Sequence, residues 1–349
     1  MARFNIGKRN LDADSPAYVI AEMSANHNGS LENALRWVAS AKSAGADAVK
    51  MQTYTADTLT LNSSNEWFQI QSGTVWSGRT LHDVYSEAFT PWEWQGTIKT
   101  QAESLGMDCF SSPFDATAVA FLETLEVPAY KIASFELVDI PLIECVARTG
   151  KPLILSTGMA TLAEITEAVG AFRNAGGGDL ALLKCTSAYP ASIEEMNLKT
   201  IMDLSHQFDV VTGLSDHSME PLVPVAAVCL GARIIEKHLT LSRDISGPDS
   251  SFSLEPDEFA EMVRFIRLAE KASGRVLYGG SEKEEGMRAY RRSLFATQDI
   301  AVGDLFSNDN IRSIRPAHGL HTRFLNQLLG RQARRLIPFG TPIKAEDLG

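Results

Sequence analysis

The sequence predicts a (β/α)8 barrel followed by a small second domain. Eight short apolar segments run through the first 273 residues, and nearly all of them are followed by a stretch with helical character. Strands that alternate with helices form parallel βαβ units, and eight such units close a barrel more naturally than they extend an open sheet. Almost every apolar segment also ends in charged or hydroxyl residues. In a barrel these residues gather at the C-terminal mouth, where barrel enzymes carry their active sites, so the pattern indicates an enzyme.

The predicted strands are those expected of a buried parallel sheet, because they are rich in Val, Ile, Leu and Ala. They cover residues 17–23, 48–54, 108–113, 129–134, 152–157, 180–185, 210–216 and 233–239.

Helix signals lie between these strands. Ser30 is placed to cap a helix that carries Leu31, Leu35 and Val38 on one face, and the stretch 161–164 fits a capping box. Both signals support the alternation of strand and helix.

The segment 55–90 is too long for an ordinary connection between a strand and a helix. It contains Trp67, Trp76 and Tyr85. We therefore expect it to cover the mouth of the barrel.

The chain is predicted to divide into three parts. Residues 1–273 form the barrel, and residues 274–292 are charged and glycine-rich, as expected of a linker arm. Residues 293–349 contain short β-like pieces and turn signals. So small a unit has a thin core, and we expect it to depend on a larger neighbour.

Composition narrows the possible functions. The 349 residues are 44% hydrophobic, and no apolar run is long enough to span a membrane. No secretory signal is visible, and the four widely spaced cysteines are typical of reduced thiols, so we expect a cytoplasmic protein. The net charge of −11 argues against nucleic acid or an anionic membrane as partner. A small anionic substrate remains compatible with it if cations are concentrated in the pocket.

Two lysines, Lys50 and Lys131, lie inside otherwise apolar strands. A lysine is almost never buried without a partner. One interpretation is an ion pair with Glu22 or Glu136, and another is a Schiff-base nucleophile. The interpretation that we favour is a cradle for phosphate and carboxylate groups, to which serines at neighbouring strand ends contribute hydroxyls. These serines are Ser112, Ser134, Ser156 and Ser215.

His217 and His238 end the seventh and eighth predicted strands. Neighbouring strands lie about 4.8 Å apart, so two imidazoles at these ends can reach one metal ion. A lone histidine is more often a core residue, but the matched pair favours a metal that orients a substrate oxygen. His27, just past the first strand, fits either a pocket or a turn.

Three carboxylates are placed for acid–base chemistry: Glu22, Glu136 and Asp249. Glu136 follows a strand end and would be affected by both lysines and by any metal, so its protonation should be coupled to theirs. The alternative for Glu136 is a simple ion pair.

Most of these residues stand in six ordered motifs that resemble the sialic acid synthase family. The resemblance extends into the tail, where 314–316 (IRP) and 329–331 (LGR) are similar to the family's antifreeze-like (SAF) domain, so it covers essentially the whole chain. Within the family, segments 52–58, 112–118 and 250–256 are most similar to the pseudaminic acid synthase branch. The six motifs are 21–29 (AEMSANHNG), 131–136 (KIASFE), 155–159 (LSTGM), 213–217 (GLSDH), 236–238 (EKH) and 247–249 (GPD).

The resemblance implies a reaction in which phosphoenolpyruvate condenses with an amino-sugar aldehyde and releases phosphate. It implies a homodimer in which each tail domain covers the partner's barrel mouth, and a divalent metal, Mn²⁺ or Mg²⁺, held by His217 and His238. By motif match, phosphoenolpyruvate would be held by Lys50, Ser112, Lys131, Ser134, Ser156 and Ser215. The sugar would be contacted by Glu22, Gln52, Tyr189, Asp249 and, from the other subunit, Arg315. We assign acid–base catalysis to Glu136, with the two lysines neutralising the departing phosphate.

The branch similarity predicts 2,4-diacetamido-2,4,6-trideoxy-altrose as the sugar, which leads to pseudaminic acid. Its methyl group and second acetamido group require an apolar pocket, for which Tyr54, Phe114 and Phe252 are candidates. The chain departs from some sialic acid synthases at Ser187 and in the residues after Arg315. N-acetylneuraminate or legionaminate synthesis by the same chemistry is the alternative. A Schiff-base aldolase would leave both histidines unused, and a non-catalytic sugar-acid binding protein would not need the metal and acid–base residues.

Overall fold

The computed structural model describes residues 2–71, 76–245 and 247–349. The chain divides into two compact units, one ending at Gly274 and the other beginning at Arg275. The first unit starts with an antiparallel hairpin formed by β1 (Phe4–Ile6) and β2 (Arg9–Leu11). The barrel follows it.

The predicted eight-stranded parallel barrel is confirmed. Strands β3 to β10 are each hydrogen-bonded to the next along the chain, and β10 returns to pair with β3, so the sheet closes without an edge. The strands are β3 (Tyr18–Glu22), β4 (Ala48–Thr53), β5 (Asp108–Pro113), β6 (Tyr130–Ile132), β7 (Leu153–Ser156), β8 (Leu180–Cys185), β9 (Val211–Asp216) and β10 (Ile234–His238).

The predicted sixth strand is longer than the observed β6. The chain leaves the sheet after Ile132, because Glu136 N donates to the Ala133 carbonyl and the backbone turns into the 3-10 helix Glu136–Val138. The turn brings Glu136 to the end of the strand.

Ten helices of the described residues surround the barrel or connect its strands, and the two predicted capping signals are present. Ser30 accepts a hydrogen bond from Asn33 N at the start of α1, and Thr161 forms a capping box with Glu164 at the start of α7. The helices are α1 (Leu31–Ser43), α2 (Ala56–Leu59), α3 (Leu81–Ala88), α4 (Trp92–Ser104), α5 (Ala116–Thr124), α6 (Ile140–Ala147), α7 (Leu162–Asn174), α8 (Thr200–Phe208), α9 (Leu222–Cys229) and α10 (Pro256–Ser273).

The second unit contains two short helices, α11 (Glu282–Glu285) and α12 (Leu325–Leu328). Its strands β11 (Ser293–Ala296) and β12 (Ile311–Ile314) pair antiparallel. A small apolar cluster that includes Phe306 forms its core. The boundaries predicted for the linker arm remain a prediction.

In the described part of the chain, no helix combines the length and the apolar character that a membrane crossing needs.

Candidate active site

The barrel register brings residues from distant parts of the chain together at the C-terminal mouth. Glu22 at the end of β3 lies beside Lys50 of β4 on one side and beside His238 of β10 on the other. Side chains alternate between the two faces of a strand, so Glu236 and His238 share one face and Lys237 points to the opposite face.

Two lysines and two glutamates form a buried charged cluster in the mouth. Lys50 Nζ lies 2.6 Å from Glu22 Oε2 and 3.6 Å from Glu236 Oε1. Lys131 Nζ lies 3.5 Å from the same Glu236 oxygen. Glu236 therefore links both lysines, although it was not among the predicted site residues. The sequence could have indicated it, because Glu236 stands two residues before His238 on the same strand, and such residues point to the same face.

The cluster sets the protonation of its members. Burial disfavours the charged lysine, but Glu22 and Glu236 outweigh burial and raise the pKa of Lys50. Burial likewise acts to raise the pKa of Glu236, yet Lys131 and Lys50 together lower that pKa. Burial lowers the pKa of Lys131 despite Glu236. Lys50 is thus held as a cation, which suits an electrostatic role rather than a Schiff base.

Two of the predicted serines touch this cluster directly. Lys50 Nζ donates to Ser112 Oγ at 3.2 Å, and Ser215 Oγ donates to Glu236 Oε1 at 3.2 Å. Both hydroxyls lie on strand ends, β5 and β9, as predicted.

The other two predicted serines lie at the ends of β6 and β7. Ser134 Oγ is 2.8 Å from the hydroxyl of Ser187. Ser156 Oγ is buried and has no hydrogen-bond partner within the described residues. Gly158 follows, and a Cβ there would lie 2.3 Å from the Ser134 Cβ, so only glycine fits this turn. The unpartnered hydroxyl is available to an incoming anion.

Three of the four predicted sugar-contacting residues of the barrel, Glu22, Gln52 and Asp249, belong to one hydrogen-bond network. Gln52 Nε2 donates to Glu22 Oε1 at 3.1 Å and to Ser24 Oγ at 3.0 Å. Ser24 Oγ in turn donates to Asp249 Oδ2. Ser24 joins the three, and sequence reasoning missed it although it stands in the first motif.

Aromatic rings line the mouth beside the two histidines. The Tyr189 ring centroid lies 4.4 Å from that of His217, and Phe252 lies 5.2 Å from His238. Trp76 packs against Tyr189 at 5.8 Å and donates Nε1–H to the Pro248 carbonyl at 3.0 Å. The segment 55–90 therefore reaches the mouth through Trp76.

The remaining aromatic residues singled out by the sequence differ in their packing. Tyr54 and Phe114 pack edge to face at 5.1 Å, and Tyr85 packs on Tyr54 at 5.8 Å. Trp67 is 78% exposed. Residues 72–75 of this segment lie outside the described residues.

The two histidines fit a divalent metal. Their ring centroids are 5.4 Å apart. His217 Nδ1 donates to the Thr186 carbonyl at 2.9 Å, which leaves Nε2 without a proton in the neutral ring, and His238 Nδ1 has no partner within the described residues. The pair supplies two protein ligands, because no group of three or more His, Cys, Asp or Glu side chains is arranged to hold a metal in residues 2–71, 76–245 and 247–349, this site included.

Glu136 is half-buried near Lys131 but does not form the ion pair that sequence analysis left open. The lysines pair with Glu22 and Glu236, while Glu136 Oε2 has no partner in the described structure. Burial raises the pKa of Glu136 to about 7, and Lys131 opposes this increase. Glu136 can therefore gain or lose a proton near neutral pH.

Two further residues singled out by the sequence are His27 and Arg315. His27 belongs to the turn after β3, where its Nδ1 accepts from Gly29 N at 3.1 Å and its ring packs against Trp94. Arg315 follows β12 in the second unit, and its side chain is exposed. Its contact with the sugar remains a prediction.

Comparison with known proteins identifies the family. The model of the NeuB family matches residues 37–278, and that of the SAF domain matches residues 291–349. A pseudaminic acid synthase from Campylobacter jejuni is 48% identical over 338 residues, which are 97% of this chain and 98% of that protein. An N,N'-diacetyllegionaminic acid synthase from Legionella pneumophila is 35% identical over 95% of this chain and 94% of that protein.

A solved structure agrees as well. The N-acetylneuraminic acid (sialic acid) synthetase of Leptospira borgpetersenii superposes with a TM-score of 0.73 and 30% identity, covering 82% of this chain and 94% of that one. The predicted family, the barrel with its SAF domain, and the enzymatic nature of the protein are all confirmed. The chain therefore belongs to the NeuB family of synthases and is an enzyme.

Proposed function

We propose that this enzyme is a pseudaminic acid synthase, which condenses phosphoenolpyruvate with 2,4-diacetamido-2,4,6-trideoxy-altrose and releases phosphate. The observation that carries the proposal is the 48% identity to a pseudaminic acid synthase over nearly the full length, against 35% for a legionaminic acid synthase of similar coverage. The lysine cluster and its hydroxyls support the first substrate, and the aromatic mouth supports the second.

Phosphoenolpyruvate binds with its carboxylate and phosphate between Lys50 and Lys131. Both ammonium groups are buried, so their attraction for an anion is less screened than at the surface. The hydroxyl of Ser156 supplies a donor that has no partner in the described protein. Fixed cations and hydroxyls act mainly by position and electrostatics.

The reaction joins C3 of the enol to the aldehyde carbon of the sugar. Formation of this bond breaks the π bond of the aldehyde, whose oxygen takes up a proton and becomes a hydroxyl, and it leaves positive charge at C2. Water adds at C2 and loses a proton, which gives a tetrahedral carbon that bears a hydroxyl group and the phosphate. Loss of the hydroxyl proton and cleavage of the C2–O bond then release phosphate and leave the keto acid. The two lysines neutralise the charge that the departing phosphate carries.

Glu136 takes the proton from the attacking water. Its carboxyl has a pKa of about 7, so a large fraction is ionised at neutral pH and is still basic enough to accept a proton. Its buried Oε2 lacks a partner in the described residues, which leaves an acceptor for this water.

A divalent metal ion, Mn²⁺ or Mg²⁺, would be held by His217 and His238. When bound, the ion acts as a Lewis acid that polarises the sugar aldehyde. The chain itself contributes the orientation: the Thr186 carbonyl fixes the His217 ring through Nδ1, and Tyr189 and Phe252 pack against the two imidazoles.

Sugar preference tests the proposed function. We expect kcat/KM to be roughly tenfold to a hundredfold higher for the trideoxy altrose than for N-acetylmannosamine, since an unmatched hydroxyl in an apolar pocket costs about one to a few kcal/mol. Both sugars are assayed by phosphate release under identical metal conditions.

The sugar precursor of legionaminic acid is the second comparison substrate, because it carries the same functional groups as the trideoxy altrose. Equal or better turnover of N-acetylmannosamine or of that precursor would contradict the pseudaminic assignment and leave the synthase chemistry intact. No phosphate release with any amino sugar would contradict the proposed function as a whole.

The proposal includes a homodimer in which Arg315 of each chain completes the sugar site of the other. Arg315 is exposed, and a guanidinium offers several donors to sugar hydroxyls and amide carbonyls. We expect Lys131→Ala and Arg315→Ala chains, each inactive alone, to regain part of the activity when they are mixed and refolded into mixed dimers.

A mixture of Lys131→Ala with Glu136→Gln is the matched control. Both changes lie in the barrel, so each barrel of that mixed dimer keeps a defect and activity should stay low. If the first pair is no more active than this control in confirmed mixed dimers, Arg315 does not act across subunits.

A further inference from the structure

An ion pair lies on the outer face of the barrel, and its two residues are next in sequence to the two histidines. Asp216 Oδ2 and Lys237 Nζ are 2.6 Å apart, and neither side chain is exposed to solvent. Asp216 immediately precedes His217, and Lys237 immediately precedes His238. Successive residues of a strand point to opposite faces, so the pair points away from the mouth.

Apolar residues stand beside this pair on the same face, and the carboxylates of Glu220 and Glu258 are near enough to act on Lys237. Leu214 and Ile235 stand two residues earlier on β9 and β10, on the same outer face, and pack in an apolar cluster with Val223 and Ala227 of α9. Two apolar side chains would suit this face. A buried ion pair is weak evidence for stability, because the cost of removing both charges from water offsets their attraction.

The contacts of the pair fix the chain around His217. Register places Asp216 opposite Lys237. Lys237 Nζ also donates to the Ser218 carbonyl, and Ser218 N donates to Asp216 Oδ1 at 2.9 Å. The residues on both sides of His217 are thereby tied to β10, at the point where β9 leaves the sheet.

We propose that the Asp216–Lys237 pair is a positioning device for His217 and His238. The pair holds the ends of β9 and β10 together. It thereby keeps the His217 ring in the orientation in which Nδ1 donates to the Thr186 carbonyl and Nε2 carries no proton. The catalytic consequence rests on the proposed function, whereas the ring orientation does not.

The test replaces the pair by apolar residues of similar size, Asp216→Leu with Lys237→Met. Long-range ¹H–¹⁵N spectra of metal-free protein report the tautomer of each imidazole, with His217→Asn identifying the His217 signals. We expect a single Nδ1-protonated tautomer in the native chain and averaged tautomers in the variant. We further expect at least a tenfold loss of Mn²⁺ affinity by direct titration, and a lower kcat with little change in KM for phosphoenolpyruvate.

The matched control is another ion pair of the barrel unit, Lys151–Glu123, with a separation of 2.6 Å. Lys151→Met with Glu123→Leu should change neither the His217 signals nor Mn²⁺ affinity. A folded Asp216→Leu/Lys237→Met variant with native His217 signals would overturn the positioning role.

If that variant does not fold, Asp216→Asn with Lys237→Gln removes the charges while retaining polar groups. The same spectra then show whether the His217 tautomer has changed. A native chain that binds no Mn²⁺ and releases no phosphate would contradict the proposed function. The tautomer measurement would still decide the positioning role.

Discussion

Substitution of Glu136 by glutamine is expected to lower kcat by about 10²- to 10⁴-fold, the usual contribution of a positioned general base. Glutamine has nearly the same shape as glutamate, but its amide group is too weak a base to take a proton from the attacking water. Because the change leaves both lysines in place, KM for phosphoenolpyruvate should change little. Steady-state assays of phosphate release measure both constants.

The pH dependence of kcat provides a second measure of Glu136. Its pKa is raised by burial to about 7, so the basic form is lost as the pH falls through about 7. We expect kcat of the native enzyme to decline on the acidic side of that value and the residual activity of Glu136→Gln to lack this decline. An unchanged acidic limb in the variant would assign the titration to another group.

Glu144→Gln is the control for these experiments. Glu144 lies on α6, which follows the 3-10 helix that contains Glu136, and its side chain is 44% exposed in an ion pair with Arg148. A surface pair of this kind contributes little, so the control should retain full activity. Native activity in Glu136→Gln would exclude the proposed base.

Removal of divalent metal is expected to lower turnover by roughly 10³-fold, because Lewis-acid polarisation of a carbonyl contributes several kcal/mol. Chelation followed by gel filtration should give inactive protein, and added Mn²⁺ or Mg²⁺ should restore it. His217→Gln and His238→Gln should lose activity that no added metal restores.

Mn²⁺ titration followed by electron paramagnetic resonance checks the same ligands without an assay of turnover. The native chain should bind one ion per barrel, and either substitution should weaken that binding. His206→Gln is the matched control, since His206 is exposed on α8, away from the strand ends. Full activity after exhaustive chelation, or native Mn²⁺ binding by His217→Gln, would contradict the proposed metal site.

Much of the site follows from sequence because strand ends carry their chemistry locally. A lysine within an apolar strand, such as Lys50 or Lys131, is identifiable from its neighbours. Paired histidines at the ends of consecutive strands, His217 and His238, are equally visible. Once eight parallel strands are recognised, barrel closure dictates that these ends meet, so the fold and the location of the mouth were predictable.

Tertiary structure decided which partners each group has. Closure places β10 beside β3, and only then do the lysines of β4 and β6 converge on Glu236 of β10. The pKa of Glu136 likewise depends on burial in the folded chain.

The outward-facing residues show the same division. The alternation of β9 and β10 is visible in the sequence, and so are Asp216 and Lys237, but their 2.6 Å contact requires the register between the two strands. Sequence by itself determined the barrel, its mouth and the types of group at the strand ends. Contact and protonation were decided only by the tertiary structure, because both depend on distances between segments that the chain brings together by folding.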